Sequence, residues 1–538
     1  MALLSAGLSA CTVDTSVSLT AATPARVQNL YVTVKEVWLN TSATAAASDP
    51  GWVGSALANP LSVDLANLND GSAQTLVSGL KAPAGTYKQL RLVLADSSST
   101  LSTAAQSAGL STNAEVRYLD SSGHTVTLPL ELPSPGTEMI VPASVVLSSP
   151  VSAQLSPSSS SAAANATAAK ITLDLDSTRN LMLFNFGTQA AALLNATGAV
   201  YDSSKAGGIS GTVDVSAVPS GTLTGPQGVL VTAETLSGDG SRYDAVKSVA
   251  LQTSGAFTLY PLPVADMGTT TYDLVIHGPG VRTVIITRVP VSVGDATTAT
   301  PAAAGAIGLP SAKQYVVNTA ANGPVLPGGS RAGFYQTIPG DSIPHLIEYA
   351  SIDPFTGGFD SNVSLSADAI NFGSYSRSGN PSFSTSAPGE GIGAYRIASA
   401  APLRTASALA TTIAAPNVNP GTVQPIFLPP IVSDAGTLTL SGTLNLLRPG
   451  RFDTGFLLVS RGGQIIDVKD LSSALANSAA SVSFSDSSLP GSAVIPFYDV
   501  SVRLWNSGDP SGTLTRAALP TPLDLSHGNL GGLLLTVP

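Results

Sequence analysis

Asp174 and Asp176 have the spacing in this 538-residue chain that best fits chemistry. They alternate with leucines in Ile171-Thr172-Leu173-Asp174-Leu175-Asp176. Such a strand carries both carboxylates on one face, about 7 Å apart. Two oxygens so placed supply part of the roughly six to eight that calcium takes. With a second strand they would serve as a glycosidase pair. The plainer reading is a solvated strand face that the alternation itself requires, and that is the expectation adopted. Asp353, Asp360 and Asp368 lie farther apart in loops and form no acidic calcium loop.

The other reactive side chains are dispersed. His124, His277, His345 and His527 each adjoin Gly, Pro or Ser in what read as loops or strand ends. His345 and Glu348 would share a face on one helical turn and reach one metal, but the second His of a zincin is missing. A serine nucleophile on a strained elbow needs G-x-S-x-G, and Gly329-Ser330-Arg331-Ala332-Gly333 has the wrong spacers. Gly389-Glu390-Gly391-Ile392-Gly393 lacks the preceding strand and following helix of a dinucleotide site. No catalytic residue, metal or cofactor is expected. Among the few aromatics, Trp38, Trp52, Trp505, Tyr31 and Tyr335 are expected as core anchors. An exposed Trp52, in the polar loop Asp49-Pro50-Gly51-Trp52, would instead stack a sugar ring.

The only cysteine, Cys11, closes the run Leu8-Ser9-Ala10-Cys11. A leucine, two small residues and a cysteine after a short apolar stretch resemble a bacterial lipobox. That resemblance implies acylation of Cys11, which becomes the mature N-terminus, and tethering by several chains that together hold firmly. Thr12 stands where Asp would signal inner-membrane retention, so the resemblance implies the outer membrane. Met1 to Ala10 has no base and only a minimal apolar core. A secretory signal has both, so the true start is expected upstream.

Composition narrows the class. Only 11% of residues are charged while 43% are apolar, with 51 Gly and 38 Pro. A disordered chain has few apolar residues and high net charge, whereas this composition suits turns closing many short strands. A net charge of −10 disfavours nucleic acid, whose phosphates demand a basic face. No apolar run approaches the roughly 18 residues of a membrane helix. With one cysteine there is no disulfide, so each domain is held by its core.

The strand patterns are legible along the chain. Leu30, Val32 and Val34 share one side before Val37 and Leu39 take over, which predicts a bulge at Lys35-Glu36. Leu90, Leu92 and Leu94 are expected inward, with Gln89 and Arg91 outward. Ser121-Ser122-Gly123-His124 reads as a hairpin turn, and Pro129 marks an edge strand. The stretch from Pro157 to Ala169 reads as a mobile insertion.

Several segments in this order, the V-x-V-x-x-V-W opening ending at Trp38, Leu80 to Leu94, Leu132 to Glu138 and Leu173 to Asp176, resemble domain-of-unknown-function family 4382 over about residues 14–190. The resemblance implies a β-sandwich, with no catalytic residues. Gly207 to about Val293, with Thr253-Ser254-Gly255-Ala256-Phe257 and Tyr272-Asp273-Leu274-Val275-Ile276, is similar to transthyretin-like, carboxypeptidase-regulatory-like modules.

The expected fold is all-β, in tandem immunoglobulin-like or transthyretin-like sandwiches. Residues 1–11 form the signal segment, 12–190 the first sandwich, 191–206 a linker and 207–300 the second sandwich. Residues 301–430 form an irregular Gly/Pro/Ser-rich β region and 431–538 a C-terminal sandwich, with a short helix in Leu471 to Ala480. The expected function is that of a non-enzymatic outer-membrane-anchored lipoprotein, facing the periplasm or the cell surface. Its partners are the membrane through the lipid anchor, and a glycan or envelope protein. A carbohydrate-binding surface lipoprotein is the alternative, and a metal-dependent envelope hydrolase the third.

Overall fold

The computed structural model describes residues 12–538 apart from 70, 121, 134–137, 149–168, 187–188, 196, 221–227, 266–267, 295–305, 320–325, 360–361, 377–382, 386–394, 414–422, 432–436, 478–479, 491–496, 510–513 and 527. The lipobox run Leu8 to Cys11, nearly all of the low-complexity insertion, Gly389 to Gly393 and His527 lie outside the described residues.

The described residues fold as strands, with only short helical turns between them. They form four sheet pairs, each around its own apolar cluster, so the all-β sandwich expectation holds. In the first sandwich, Thr12–Ala22 runs parallel to Ala169–Asp176 and antiparallel to Gln74–Pro83, while Ala199–Asp202 closes that sheet. The facing sheet centres on Val27–Asn40 and Gly85–Leu94. Leu19, Leu30, Leu90 and Leu173 meet between the two sheets, all fully buried.

Several local expectations are met. The register of Val27–Asn40 slips between Val34 and Glu36 against both neighbouring strands. Glu115–Leu119 and Thr125–Glu131 pair antiparallel around the turn at Gly123. Pro129 is not on an edge strand, because Gln189–Leu194 pairs on the other side. That ladder covers only Leu130 and Glu131, so the residue without an N–H sits just before it begins. Residues 199–202, within the segment read as a linker, pair with Ala169–Asp176 as a strand.

The second sandwich sets Ala206–Asp214 and Ala256–Pro263 against a sheet built on Leu230–Leu236, Tyr243–Ala250, Thr269–His277 and Val284–Ser292. That sheet continues into the next region, because Asn371–Ser374 runs parallel to Val284–Ser292 and Ser384–Thr385 follows it. Residues 301–430 also build a third sandwich, in which Gln314–Thr319 faces Arg331–Gln336 and Tyr395–Ala400 across Phe334, Leu365 and Ile397. In the fourth, Thr437–Leu446 faces Thr454–Arg461 and Phe497–Trp505, with a helical turn at Ser472–Leu475.

The sandwiches form a closed circuit of contacts instead of a string. Lys247 of the second pairs with Asp174 of the first. His345 of the third meets Glu234 of the second. The Gly328 N–H in the third donates to Asp467 Oδ1 in the fourth at 3.1 Å. Arg503 and Arg516 of the fourth return to Glu131 of the first. An apolar seam reinforces this last closure, with Met182, Phe184 and Leu193 packed on Phe456, Leu458, Ile465 and Trp505. Trp505 is therefore an anchor, as expected, though between sandwiches and not within one.

Candidate functional site: a polar cavity at the junction of four sandwiches

Leu173 and Leu175 of Ala169–Asp176 enter the core of the first sandwich, which turns Asp174 and Asp176 to the other face. Alternation predicted water there. The structure overturns that, because the second sandwich covers this face and both aspartates are buried, at 3% and 4% exposure. They line a cavity of about 400 Å³ to which all four sandwiches contribute.

Each carboxylate has a cation. Lys247 Nζ donates to Asp174 Oδ2 at 2.8 Å, with the lysine wholly buried. Arg179 Nε donates to Asp176 Oδ2 at 2.7 Å, and its Nη1 reaches the Ala245 carbonyl at 3.1 Å. Asp176 also caps the helical turn Ser177–Asn180, accepting from the Thr178 N–H at 3.1 Å. Burial pushes the Asp174 carboxyl above the usual range, with Lys247 opposing it. Burial works against the Arg179 charge, but Asp176, Tyr349 and Asp174 together outweigh this and raise its pKa. Burial likewise raises the Tyr201 hydroxyl, with Asp174 adding to it.

The rest of the wall is polar. Asn180 exchanges hydrogen bonds with Thr197, its Nδ2 donating to the carbonyl at 2.6 Å and its Oδ1 accepting from the hydroxyl. Asn195 Oδ1 accepts from the Ile465 N–H at 2.9 Å, tying the wall to the fourth sandwich. Arg331, Gly329, Ala400 and Pro402 come from the third sandwich and Gln464 from the fourth. Arg331 lies over the Tyr349 ring at 5.0 Å. Two buried polar atoms of the lining, Asp174 Oδ1 and Arg331 Nε, have no hydrogen-bond partner among the described residues.

The remaining expected sites are dispersed. His345 and Glu348 lie on a strand, His345–Ser351, so the helical turn that would join them is absent. His345 Nδ1 is 3.3 Å from Glu234 Oε2, with Tyr243 stacked on its ring at 4.3 Å. Glu348 Oε2 instead lies 3.8 Å from His277 Nε2. Both histidines are buried, not at the surface, and burial lowers each from 6.5 to about 4. His124 alone of the described histidines is exposed, near Asp120. Ser330 donates to the Pro327 carbonyl at 2.5 Å and is buried. Among the described residues no group of three or more His, Cys, Asp or Glu is placed to hold a metal.

Trp52 is half-buried. Its Nε1 donates to the Ala46 carbonyl at 2.9 Å, and Arg91 lies over its ring at 4.6 Å. The same guanidinium sits 5.5 Å from the Trp38 ring and donates to the Ala47 carbonyl. Gln89 and Arg91 are thus buried, not outward, and Ala47 and Trp52 meet the Arg91 guanidinium.

Residues 12–190 match a family described as a domain of unknown function (DUF4382), as the resemblance implied. No curated protein matches the chain. Among solved structures the chain is similar to the Bacillus anthracis TIE protein, at 9% identity over 95% of this chain and 69% of that one, TM-score 0.14. It is similar to a streptococcal ancillary pilin at 10% identity over 62% of this chain and 99% of that one, TM-score 0.15. The Corynebacterium diphtheriae major pilin SpaA is a third, at 10% identity over 61% and 100%, TM-score 0.12. Likenesses this slight carry no argument about what this chain does.

Proposed function

We propose that this chain is a non-enzymatic lipoprotein, acylated at Cys11 and held at the outer membrane, that presents its closed set of sandwiches to a glycan or protein of the envelope. The observation that supports this reading is the join between lipobox and fold. The strand Thr12–Ala22, the first described element, already includes the residue next to the cysteine and lies between two partners in its sheet. An acyl anchor on Cys11 therefore attaches to the first sandwich without a spacer. Among the described residues no helix is long and apolar enough to cross a membrane, so the attachment in this proposal is lipid alone. The second sandwich, in this reading, is a transthyretin-like module that spaces and supports its neighbours.

The test is membrane fractionation of the full-length protein in a bacterial envelope. The native protein is expected in the membrane fraction, with a mature N-terminus at an acylated Cys11. Cys11→Ser is expected in the soluble fraction. An unchanged membrane fraction for Cys11→Ser, or an unmodified thiol, overturns the anchor.

A further inference from the structure

We propose that the four-sandwich cavity is a binding site for a neutral, hydroxyl-rich small molecule, of the class of mono- and disaccharides. Three observations carry this. The first is size, since about 400 Å³ falls within the roughly 300 to 1,000 Å³ of small-molecule sites.

The second is charge. Asp174 and Asp176 are each matched by a cation at 2.8 and 2.7 Å. A cationic ligand would meet Arg179 and Arg331, and an anionic one the two carboxylates. Among the described residues Arg331 has no carboxylate partner, so its guanidinium is left to donate to the oxygens of a hydroxyl-rich ligand. The polar wall also disfavours an acyl chain, which would leave these groups without partners.

The third is unfilled hydrogen-bonding capacity. Asp174 is buried at 3% exposure, and its Oδ1 accepts nothing from the described residues, while Arg331 Nε has no acceptor among them. A buried acceptor left unmatched is unfavourable. A hydroxyl both donates and accepts, which suits a wall that carries both Asp174 and Arg331. Tyr201 adds a hydroxyl and a ring edge to the same wall, and Gln464 an amide. The site differs from the exposed aromatic platform that Trp52 would offer, and it does not depend on the anchor at Cys11.

The experiment uses the soluble Cys11→Ser full chain, titrated by calorimetry with glucose, galactose, N-acetylglucosamine, maltose and lactose. Saturable binding of at least one is expected. Tyr201→Phe and Gln464→Ala keep the fold, checked by unchanged thermal melting, and each is expected to weaken binding roughly tenfold. Trp52→Ala is expected to leave binding unchanged. No saturable binding up to about 10 mM overturns the proposal. So does binding that survives both cavity variants, or that Trp52→Ala alone abolishes. A failed titration leaves the membrane-fraction result untouched, so the two readings fall separately.

Discussion

Lys247 Nζ and Asp174 Oδ2 stand 2.8 Å apart with both side chains buried, which places a salt bridge inside the contact between the first two sandwiches. Desolvation offsets much of the attraction in such a pair, and removal of one partner leaves an uncompensated buried charge. Lys247→Met alone is expected to lose about 3–5 kcal/mol. The double variant Lys247→Met with Asp174→Leu is expected to recover most of that. A double-variant cycle from urea unfolding checks this, and additive losses contradict it.

The closure through Glu131 is expected to behave similarly. Its carboxylate accepts from Arg503 Nε at 3.0 Å and from Arg516 Nε at 2.9 Å. Glu131→Gln leaves Arg503 buried without its anion and is expected to cost about 3–5 kcal/mol. Arg516 is partly exposed, so Arg516→Lys is expected to cost less. Hydrogen exchange along Phe497–Trp505 reads the difference. Equal exchange in the two variants would remove Glu131 as the link.

Phe456 sits in the apolar seam, with Phe355 at 5.5 Å, Trp505 at 6.0 Å and Phe184 at 6.2 Å between ring centres. Phe456→Ala is expected to destabilise the protein by about 3–5 kcal/mol. Limited proteolysis should then cut first in the strands that face the seam, Leu181–Phe186 and Thr454–Arg461. A native digestion pattern would place the stabilisation elsewhere.

Acid should loosen the contacts around the buried histidines. His277 and His345 are lowered from 6.5 to about 4, chiefly by burial. Each contributes stability that is present above pH 6.5 and lost as pH falls through about 4, on the order of 3 kcal/mol. Glu348 works in the opposite sense. Burial raises it from 4.5 to about 7, so its contribution is present below pH 4.5 and lost as pH rises through 7. Melting temperatures of His345→Gln should flatten between pH 6.5 and 4, and those of Glu348→Gln between 4.5 and 7. Parallel curves for variant and native protein would refute this assignment. Glu234, Asp273 and Asp341 surround His345, and burial raises Glu234 well above its usual range.

The strands were legible because alternation reports which side of a strand meets apolar neighbours. Leu173 and Leu175 therefore located a core face correctly, and the slip after Val34 located a bulge. Alternation is silent on what covers the polar face. Asp174 and Asp176 look alike whether water or another sandwich lies over them, and water was the simpler expectation. One signal was present. Lys247 interrupts Ala245-Val246-Lys247-Ser248-Val249, and a lysine amid such a strand in a chain only 11% charged implies a partner. Glu131 and Arg503 gave less warning, since each finds its partner hundreds of residues away in another sandwich.

The short strand Asn371–Ser374 has a practical consequence for anyone dividing this chain. It zips onto Val284–Ser292, although some eighty residues separate them. A truncation near residue 300 would strip Val284–Ser292 of that neighbour and present its open amide and carbonyl row to solvent. Such an uncapped border invites self-association. A fragment meant to carry the second unit must extend past Thr385, and the piece removed is then no longer a free-standing third unit.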